Sequence, residues 1–346
     1  MTVRCLSFHA NYRCGRSGAC CTANWPIPIE ADRLIALQAA VGTGALHPVG
    51  GGEGWMTTPA DAPEDAPALL GVQHGTCVFF DAGGVHTCRI HAVLGHDALP
   101  LACRQFPRLV VHDPRGVSIT LSHYCPTAAG LLRNRDPVRI VAEPAAFPAG
   151  GEYEGLDARR ALPPLLHPDM LMDWPSWWRW EAESVALLTA GIEPLGLTVG
   201  RLRDAVARVR DWSPSCGPLA PHVTRAFEAA RTGRSQPFDP DPDEIARRLN
   251  EIDDAIPAEL RPDPVPVSAH TVRWHEPDGA DRFLAAHAFA NWTAHVGEGL
   301  HAWLRSLETA YACLRVGLDF RRTDLRLRHL ANPNRLAETW SFCPRD

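Results

Sequence analysis

The chain has 346 residues, of which 45% are hydrophobic and 21% are charged, and its formal net charge is -6. This apolar content is ordinary for a folded protein and excludes wholesale disorder. The acidic balance gives no basic footprint for nucleic acid, and no apolar run reaches the roughly 18 residues that a membrane helix needs. The sequence contains no lysine, which excludes a P-loop and Schiff-base catalysis through a lysine amine.

Residues 30–40 are good helix formers without a breaker, and they predict the first helix. The stretch 42–71 is rich in glycine, proline, threonine and aspartate, and we interpret it as a flexible surface insertion. Alternating apolar residues around turn signals then predict two β-hairpins. The first hairpin pairs residues 77–81 with 85–90, and the second pairs 109–112 with 117–121.

Beyond about residue 150 the pattern changes to helices separated by prolines. The tryptophan-rich segment 174–180 could cage a methylated lysine, although we favour an anchor against neighbouring helices. His287, Asn291 and His295 are spaced i, i+4, i+8 and would share one helical face, which we interpret as a polar stripe rather than a metal site. The predicted helices are 181–190, 199–212, 244–255 and 281–316, the last interrupted only by Gly297 and Gly299, with a proline-rich connector at 257–266.

These patterns predict an α+β protein that is mainly α. An irregular Cys-rich metal-binding module with short hairpins would occupy residues 1–135, and a helical C-terminal lobe would occupy residues 150–346. All but three of the 11 cysteines lie in the first 125 residues. We expect the late three to be buried apolar residues. They are Cys216, Cys313 and Cys343.

The early thiols point to a metal site. The first residues lack the apolar segment of a secretory signal, so we expect a cytoplasmic protein, whose thiols stay free or bind metal. Thiolates are soft donors that suit zinc or an iron–sulfur cluster. Because no CxxC pair occurs, ribbon, RING and ferredoxin patterns are excluded, and thiol–disulfide exchange is disfavoured. The number of ions stays open. The predicted ligands are Cys14, Cys20, Cys21, Cys77, Cys88, Cys103 and Cys125.

Other side chains among these thiols could complete a mixed site. His91 has the strongest claim of the histidines because it follows Cys88 by three residues. Arg104 and Arg108 flank Cys103 and could hold thiolates or an anionic substrate, or could form surface ion pairs. The histidines considered are His86, His91, His96, His112 and His123.

Three motifs, in this order, carry a resemblance to a known family. Residues 12–21 (YRCGRSGACC), 77–81 (CVFFD) and the pair of boxes 88–91 (CRIH) and 103–108 (CRQFPR) resemble the YkgJ-type cysteine-cluster family, described as a zinc- or iron-chelating domain. The resemblance covers roughly residues 8–127. The family usually places two thiols before the double cysteine, whereas only Cys14 is close here.

A second resemblance gives an alternative function. Residues 25–29 (WPIPI) and the helical tail 283–315 resemble the bacterial flagellin lysine N-methylases, which are larger, carry the same cysteine module and use S-adenosylmethionine. This resemblance implies an iron–sulfur-containing protein-lysine N-methyltransferase with a protein substrate. No glycine-rich adenosine-binding turn is visible in the sequence. We expect a 4Fe-4S cluster if this second resemblance holds, and zinc if only the first does.

Overall fold

The structure, a computed structural model, is α+β with 43% helix and 13% strand, which confirms the predicted fold class. It describes residues 1–23, 25–51, 54–60, 62–81, 83, 88–255, 276–295 and 297–324. Within these ranges, no helix has both the length and the apolar character needed to cross a membrane.

Most strands are short and belong to four separate sheets. They are β1 Val3–Leu6, β2 Pro28–Ile29, β3 Met56–Thr57, β4 Ala68–Leu70, β5 Val72–Gln73, β6 Thr76–Cys77, β7 Arg108–Asp113, β8 Gly116–Leu121, β9 Ile140–Ala142, β10 Leu156–Asp157, β11 Leu165–His167 and β12 Met170–Leu171. The long helices follow residue 170. The helices are α1 Ala31–Gly42, α2 Arg89–Leu94, α3 Leu101–Gln105, α4 Pro126–Leu131, α5 Trp174–Leu188, α6 Leu195–Arg210, α7 Leu219–Thr232, α8 Pro242–Ala255, α9 Ala280–Ala288 and α10 Leu300–Arg315.

The chain divides into two compact units, which we call the thiol unit and the helical unit. The thiol unit comprises residues 13–108 together with 125–127, and the helical unit comprises the rest of the described chain. This division differs from the predicted ranges of 1–135 and 150–346. The difference arises because β1 pairs on one side with β8 and on the other with β9, which lies beyond residue 135.

The helical unit contains a mixed five-stranded sheet in the order β10-β7-β8-β1-β9. β7 and β8 are neighbours in it, which confirms the second predicted hairpin. β1 runs parallel to β8, with Val3 opposite Val117. The helical core is centred on fully buried aromatic rings, since Trp180 lies 5.2 Å from Trp303 and 4.9 Å from Phe227 between ring centroids. Burying such large apolar side chains is the main source of stability here.

The thiol unit has a smaller core around a three-stranded sheet, β2-β4-β3. Helix α1 confirms the first predicted helix. Residues 42–71, which we predicted to be a surface insertion, instead contribute β3 and β4 and bury Leu46, Trp55 and Leu70. The glycines and prolines of this stretch therefore mark turns between short strands, and the apolar residues between them fill the core.

The first predicted hairpin, 77–81 with 85–90, does not form as expected in the described residues. β6 pairs with β5 instead, and Phe80 and Cys88 form an isolated antiparallel bridge. The residue after Cys88 already begins α2. Residues 82 and 84–87 lie outside the described residues. The short apolar segment after Cys88 forms a helix, from which Ile90 packs into the core of the unit.

The C-terminal helices differ from the prediction at their ends. α5 begins at Trp174, seven residues early, because the Asp173 carboxylate accepts a hydrogen bond of 2.7 Å from the Ser176 N–H and caps it. The predicted helix 281–316 is two helices, since α9 ends at Ala288 and Ala290 has a φ of +53°. The connector 257–266 lies outside the described residues.

Candidate metal centre

The adjacent thiols Cys20 and Cys21 follow a turn that requires glycine. Gly18 has a φ of +71°, and a Cβ atom there would overlap the ring of Phe80. The Cys21 N–H donates to the Gly18 carbonyl at 2.8 Å. The two sulfur atoms lie 3.8 Å apart. The turn therefore presents two thiols side by side against Phe80.

Cys77 and Cys88 are held beside this turn by backbone pairing. The Cys77 N–H donates to the Cys21 carbonyl at 2.8 Å, and Cys88 bridges Phe80. Hydrogen bonding from the Cys21 thiol lowers the pKa of Cys20 and lowers that of Cys88 to about 7, while the same bonds raise the pKa of Cys21. Burial raises the pKa of Cys77 to about 11. The Cys21 thiol thus lies between two sulfur acceptors.

Cys103 joins this neighbourhood from α3. The Glu30 carboxylate accepts hydrogen bonds of 3.0 and 3.2 Å from the Leu101 N–H and so fixes the start of that helix. Burial raises the pKa of Cys103, and the charges of the neighbouring thiols raise it further. Five predicted ligands are therefore within electrostatic reach of one another. They are Cys20, Cys21, Cys77, Cys88 and Cys103.

The five thiols are close, but they do not form a closed ligand set. A tetrahedral site with Zn–S distances of about 2.3 Å places its sulfur atoms about 3.8 Å apart. The Cys20–Cys21 distance of 3.8 Å equals one edge of such a tetrahedron. Within the described part of the chain, no three cysteine sulfurs all lie within 4.8 Å of one another. The remaining thiols would have to move inward to share one ion.

Cys14 and Cys125, the other two predicted ligands, lie in the same unit. Cys14 is exposed and Cys125 is buried. A Cβ atom on Gly15 would lie 2.5 Å from the Thr127 Oγ1, so the loop that carries Cys14 runs against the segment that carries Cys125. Glycine allows this approach without a shift of the Thr127 side chain.

The remaining cysteines have separate surroundings. Cys5 is buried in β1, and burial raises its pKa to about 12. Cys313 is buried on α10, as we predicted, whereas Cys216 is exposed. Cys216 follows two serines in a 3₁₀ turn, so the prediction that it is a buried apolar residue is wrong. Cys343 lies outside the described residues.

The histidines separate into different places. His112 contacts the Tyr153 carbonyl at 3.0 Å and serves the fold. His123 belongs to the helical unit rather than to the thiol unit, and its Nε2 lies 3.4 Å from the Nε2 of His9. Burial, together with His123, holds the pKa of His9 well below its usual value. His91 and His96 contact each other at 5.9 Å between ring centroids in the thiol unit. His86 lies outside the described residues.

The two flanking arginines, Arg104 and Arg108, are joined by a hydrogen bond. The Arg108 side chain donates to the Arg104 carbonyl at 2.8 Å. The two therefore stabilise the end of α3, next to Cys103. The two roles considered for these arginines, on thiolates or an anionic substrate and in surface ion pairs, stay predictions.

The predicted polar stripe does not form, and the tryptophan segment packs with an arginine. Asn291 donates to the His287 carbonyl at 2.7 Å beyond the end of α9, and His295 lies in a separate 3₁₀ turn, so the three side chains do not share a helical face. Trp174 and Trp178 stack at 6.5 Å, and the Arg115 guanidinium covers the Trp178 ring at 4.9 Å. Arg115 thus occupies a ring face that a methylated lysine would need.

Comparison with protein-family models, with curated proteins and with solved structures gives no match for this chain.

Proposed function

We propose that the thiol unit binds zinc or iron through its cysteines, as the resemblance to the YkgJ-type family implies. The observation that carries this proposal is the contact of the Cys20 and Cys21 sulfurs at 3.8 Å, with the Cys88 sulfur in hydrogen-bonding interaction with Cys21. Cys77 and Cys103 lie close enough to Cys20 and Cys88 for the charges of those thiols to act on them. The proposed ligands are drawn from Cys14, Cys20, Cys21, Cys77, Cys88, Cys103 and Cys125.

The chemistry of these donors fits a soft cation. Burial raises the pKa of both Cys77 and Cys103, and negative charge on Cys20 and Cys88 raises it further, so a positive partner would favour their ionisation. A bound metal supplies that charge and holds its ligands as thiolates. Glutamate and histidine side chains also lie in this unit, but the donor atoms that lie next to each other at Cys20 and Cys21 are sulfur. Sulfur donors favour the binding of zinc or an iron–sulfur cluster over magnesium or calcium.

A metal here would stabilise a unit that has little regular secondary structure of its own. The strands β2 to β6 have only two or three residues each. Structural zinc contributes roughly 10 kcal/mol or more to the folding of small modules. A bound ion would link the Gly18 turn to β6, to α2 and to α3. The centre is therefore proposed to be structural or redox-related.

The alternative, an iron–sulfur protein-lysine N-methyltransferase that uses S-adenosylmethionine, rests on the second resemblance alone. The described residues offer no feature that favours it, because Trp174 and Trp178 are partly buried and Arg115 already covers the Trp178 ring. If calorimetry on the metal-loaded full chain shows no heat of S-adenosylmethionine binding, the alternative fails.

The proposal is tested by metal analysis and a visible spectrum of the full chain after anaerobic purification. Iron–sulfur ligation by cysteine gives broad absorption near ~400 nm, whereas Zn²⁺ is d¹⁰ and colourless. We expect Cys20→Ser, Cys21→Ser and Cys103→Ser each to lower the metal content strongly. The matched control is Cys216→Ser, which replaces an exposed thiol outside the unit and should leave the metal content unchanged.

Two results would contradict the proposal. One is wild-type protein that is metal-free and folded, with unchanged circular dichroism in excess chelator. The other is a metal content that the three thiol substitutions leave as high as the Cys216→Ser control does.

A further inference from the structure

Two imidazoles and a carboxylate meet inside the helical unit. One nitrogen of His123, one nitrogen of His287 and one carboxylate oxygen of Asp324 all lie within 4.8 Å of one another. His123 follows β8, His287 lies in the last turn of α9, and Asp324 lies in the helical segment 320–324. The Asp324 side chain is only 1% exposed and the His287 side chain 19% exposed. The group is thus buried, and His287 is its most exposed member.

The Asp324 carboxylate is oriented by donors on one of its oxygens. The Ser122 hydroxyl donates to Oδ2 at 2.6 Å, and the Tyr124 N–H donates to the same atom at 3.2 Å. The other oxygen, Oδ1, faces the Nε2 of His287 at 3.6 Å. Ligands at about 2.0–2.1 Å from a tetrahedral ion are about 3.3–3.4 Å apart. The His287–Asp324 pair is therefore within a few tenths of an ångström of a ligand-to-ligand distance.

A third histidine holds the first in place. The Nε2 of His9 lies 3.4 Å from the Nε2 of His123, and both side chains are buried. A histidine that binds metal usually makes a polar contact with its other ring nitrogen, which fixes its orientation and tautomer. For an ion bound at Nδ1 of His123, His9 provides such a contact at Nε2.

The surroundings of the group are apolar and rigid. The Phe283 ring packs against His123 at 5.3 Å and against His287 at 4.5 Å between ring centroids. Phe320 packs against the Phe283 ring, with 5.1 Å between the ring centroids. These contacts hold both imidazoles in fixed positions and keep bulk water away, so charge on an ion would be weakly screened here.

We propose that His123, His287 and Asp324 bind one divalent transition-metal ion, with His9 as a positioning residue. Imidazole nitrogen with carboxylate oxygen suits Fe²⁺, Co²⁺ or Zn²⁺ better than Ca²⁺ or Mg²⁺. Three protein ligands leave a coordination position for water or a substrate, as in catalytic sites and unlike closed structural ones. The donors are nitrogen and oxygen in the helical unit, so the proposal does not depend on the thiols.

The test is a Co²⁺ titration of the chelator-treated full chain, with bound metal counted directly and the absorption spectrum recorded. Thiolate ligation gives an intense sulfur-to-cobalt band, and nitrogen and oxygen ligation does not. We expect Asp324→Asn and His287→Gln each to lose about one Co²⁺ per chain without a change in any sulfur-to-cobalt band. His9→Gln should keep that ion but weaken its binding roughly 10–100-fold. His301→Gln, on α10, is the matched control and should bind as the wild type does.

The proposal is overturned if Asp324→Asn and His287→Gln, with wild-type circular dichroism, bind as much Co²⁺ as tightly as His301→Gln. A readout on the wild-type chain covers the case in which these variants do not fold. Histidine ligands give exchangeable imidazole N–H resonances shifted far outside the normal range by bound Co²⁺. We expect such resonances in the wild type and in His91→Gln, and their absence from both also overturns the proposal. The failure of the thiol centre would show separately, as a missing sulfur-to-cobalt band.

Discussion

The Glu181 carboxylate on α5 accepts a hydrogen bond of 3.1 Å from the backbone N–H of Ala290, just beyond the end of α9. Ala290 has a φ of +53°, a conformation that costs a residue with a side chain about 1–2 kcal/mol. The other carboxylate oxygen accepts a bond of 3.0 Å from Arg115, which also pairs with Asp113 at 2.6 Å. One buried carboxylate thus fixes both a left-handed turn and a half-buried arginine.

We expect Glu181→Ala to lower the free energy of unfolding by about 1–3 kcal/mol, because it leaves the buried Ala290 N–H without its acceptor, whereas Arg115 keeps its pairing with Asp113. The matched control is Glu183→Ala, on the same helix, where the carboxylate pairs with the partly exposed Arg231 at 2.6 Å. That loss should be about 1 kcal/mol or less. Urea unfolding followed by circular dichroism measures both, and equal losses would contradict the role assigned to Glu181.

Two helical glycines should respond to alanine with opposite signs. A Cβ atom at Gly200 on α6 would overlap the Gln236 carbonyl oxygen, which is backbone and cannot rotate away. We expect Gly200→Ala to destabilise by roughly 1–3 kcal/mol. At Gly130 on α4 nothing lies within 4 Å of the new Cβ atom, so Gly130→Ala should stabilise by up to about 1 kcal/mol through helix propensity. Thermal unfolding of the two variants gives their midpoints. A shift of both midpoints in the same direction would contradict the close contact at Gly200 or the open space at Gly130.

The sequence predicted the elements whose signals are local. Helix α1 and the β7–β8 hairpin follow from helix formers and from alternation around a turn, and both are confirmed. The division into units was not predictable, because β1 pairs with β8 more than 100 residues along the chain. Helix α7 was missed, because Pro221 lies in its first turn and reads as a breaker, although proline is tolerated there.

Of the two candidate sites, one could be predicted in part from neighbouring residues and the other could not. Cys20 and Cys21 are adjacent in the sequence, so their proximity was predictable. His9, His123, His287 and Asp324 come from four distant segments, and no spacing links them. We had grouped His123 with the thiols because it lies near Cys125 along the chain. Its partners are set by tertiary packing, which residue spacing does not encode.

Stability should fall in mild acid because of His295. Burial lowers its pKa to about 4, although the Asp113 charge acts in the opposite direction, and the ring packs near Trp174. The unfolded chain, with a histidine pKa near 6.5, binds the proton more readily. The free energy of unfolding therefore decreases as the pH falls from about 6.5 to about 4, by up to about 3 kcal/mol.

The measurement is urea unfolding at pH 7 and pH 5 for the wild type and for His295→Asn. The variant cannot take up this proton, so its loss of stability between the two pH values should be smaller. A loss as large in the variant as in the wild type would show that other groups carry the acid sensitivity.

The thiols outside the thiol unit should differ widely in reactivity. Hydrogen bonding from Ser213 lowers the pKa of the exposed Cys216, whereas burial raises the pKa of Cys5 in β1 to about 12. Only the thiolate reacts with an alkylating reagent, and only where the reagent can reach it. We therefore expect iodoacetamide at pH 7 to modify Cys216 rapidly and Cys5 only after unfolding. Peptide mass spectrometry over a time course gives both rates, and Cys216→Ser should remove this early modification. Comparable rates at the two positions would mean that β1 opens readily in the native protein, contrary to its place inside the five-stranded sheet, between β8 and β9.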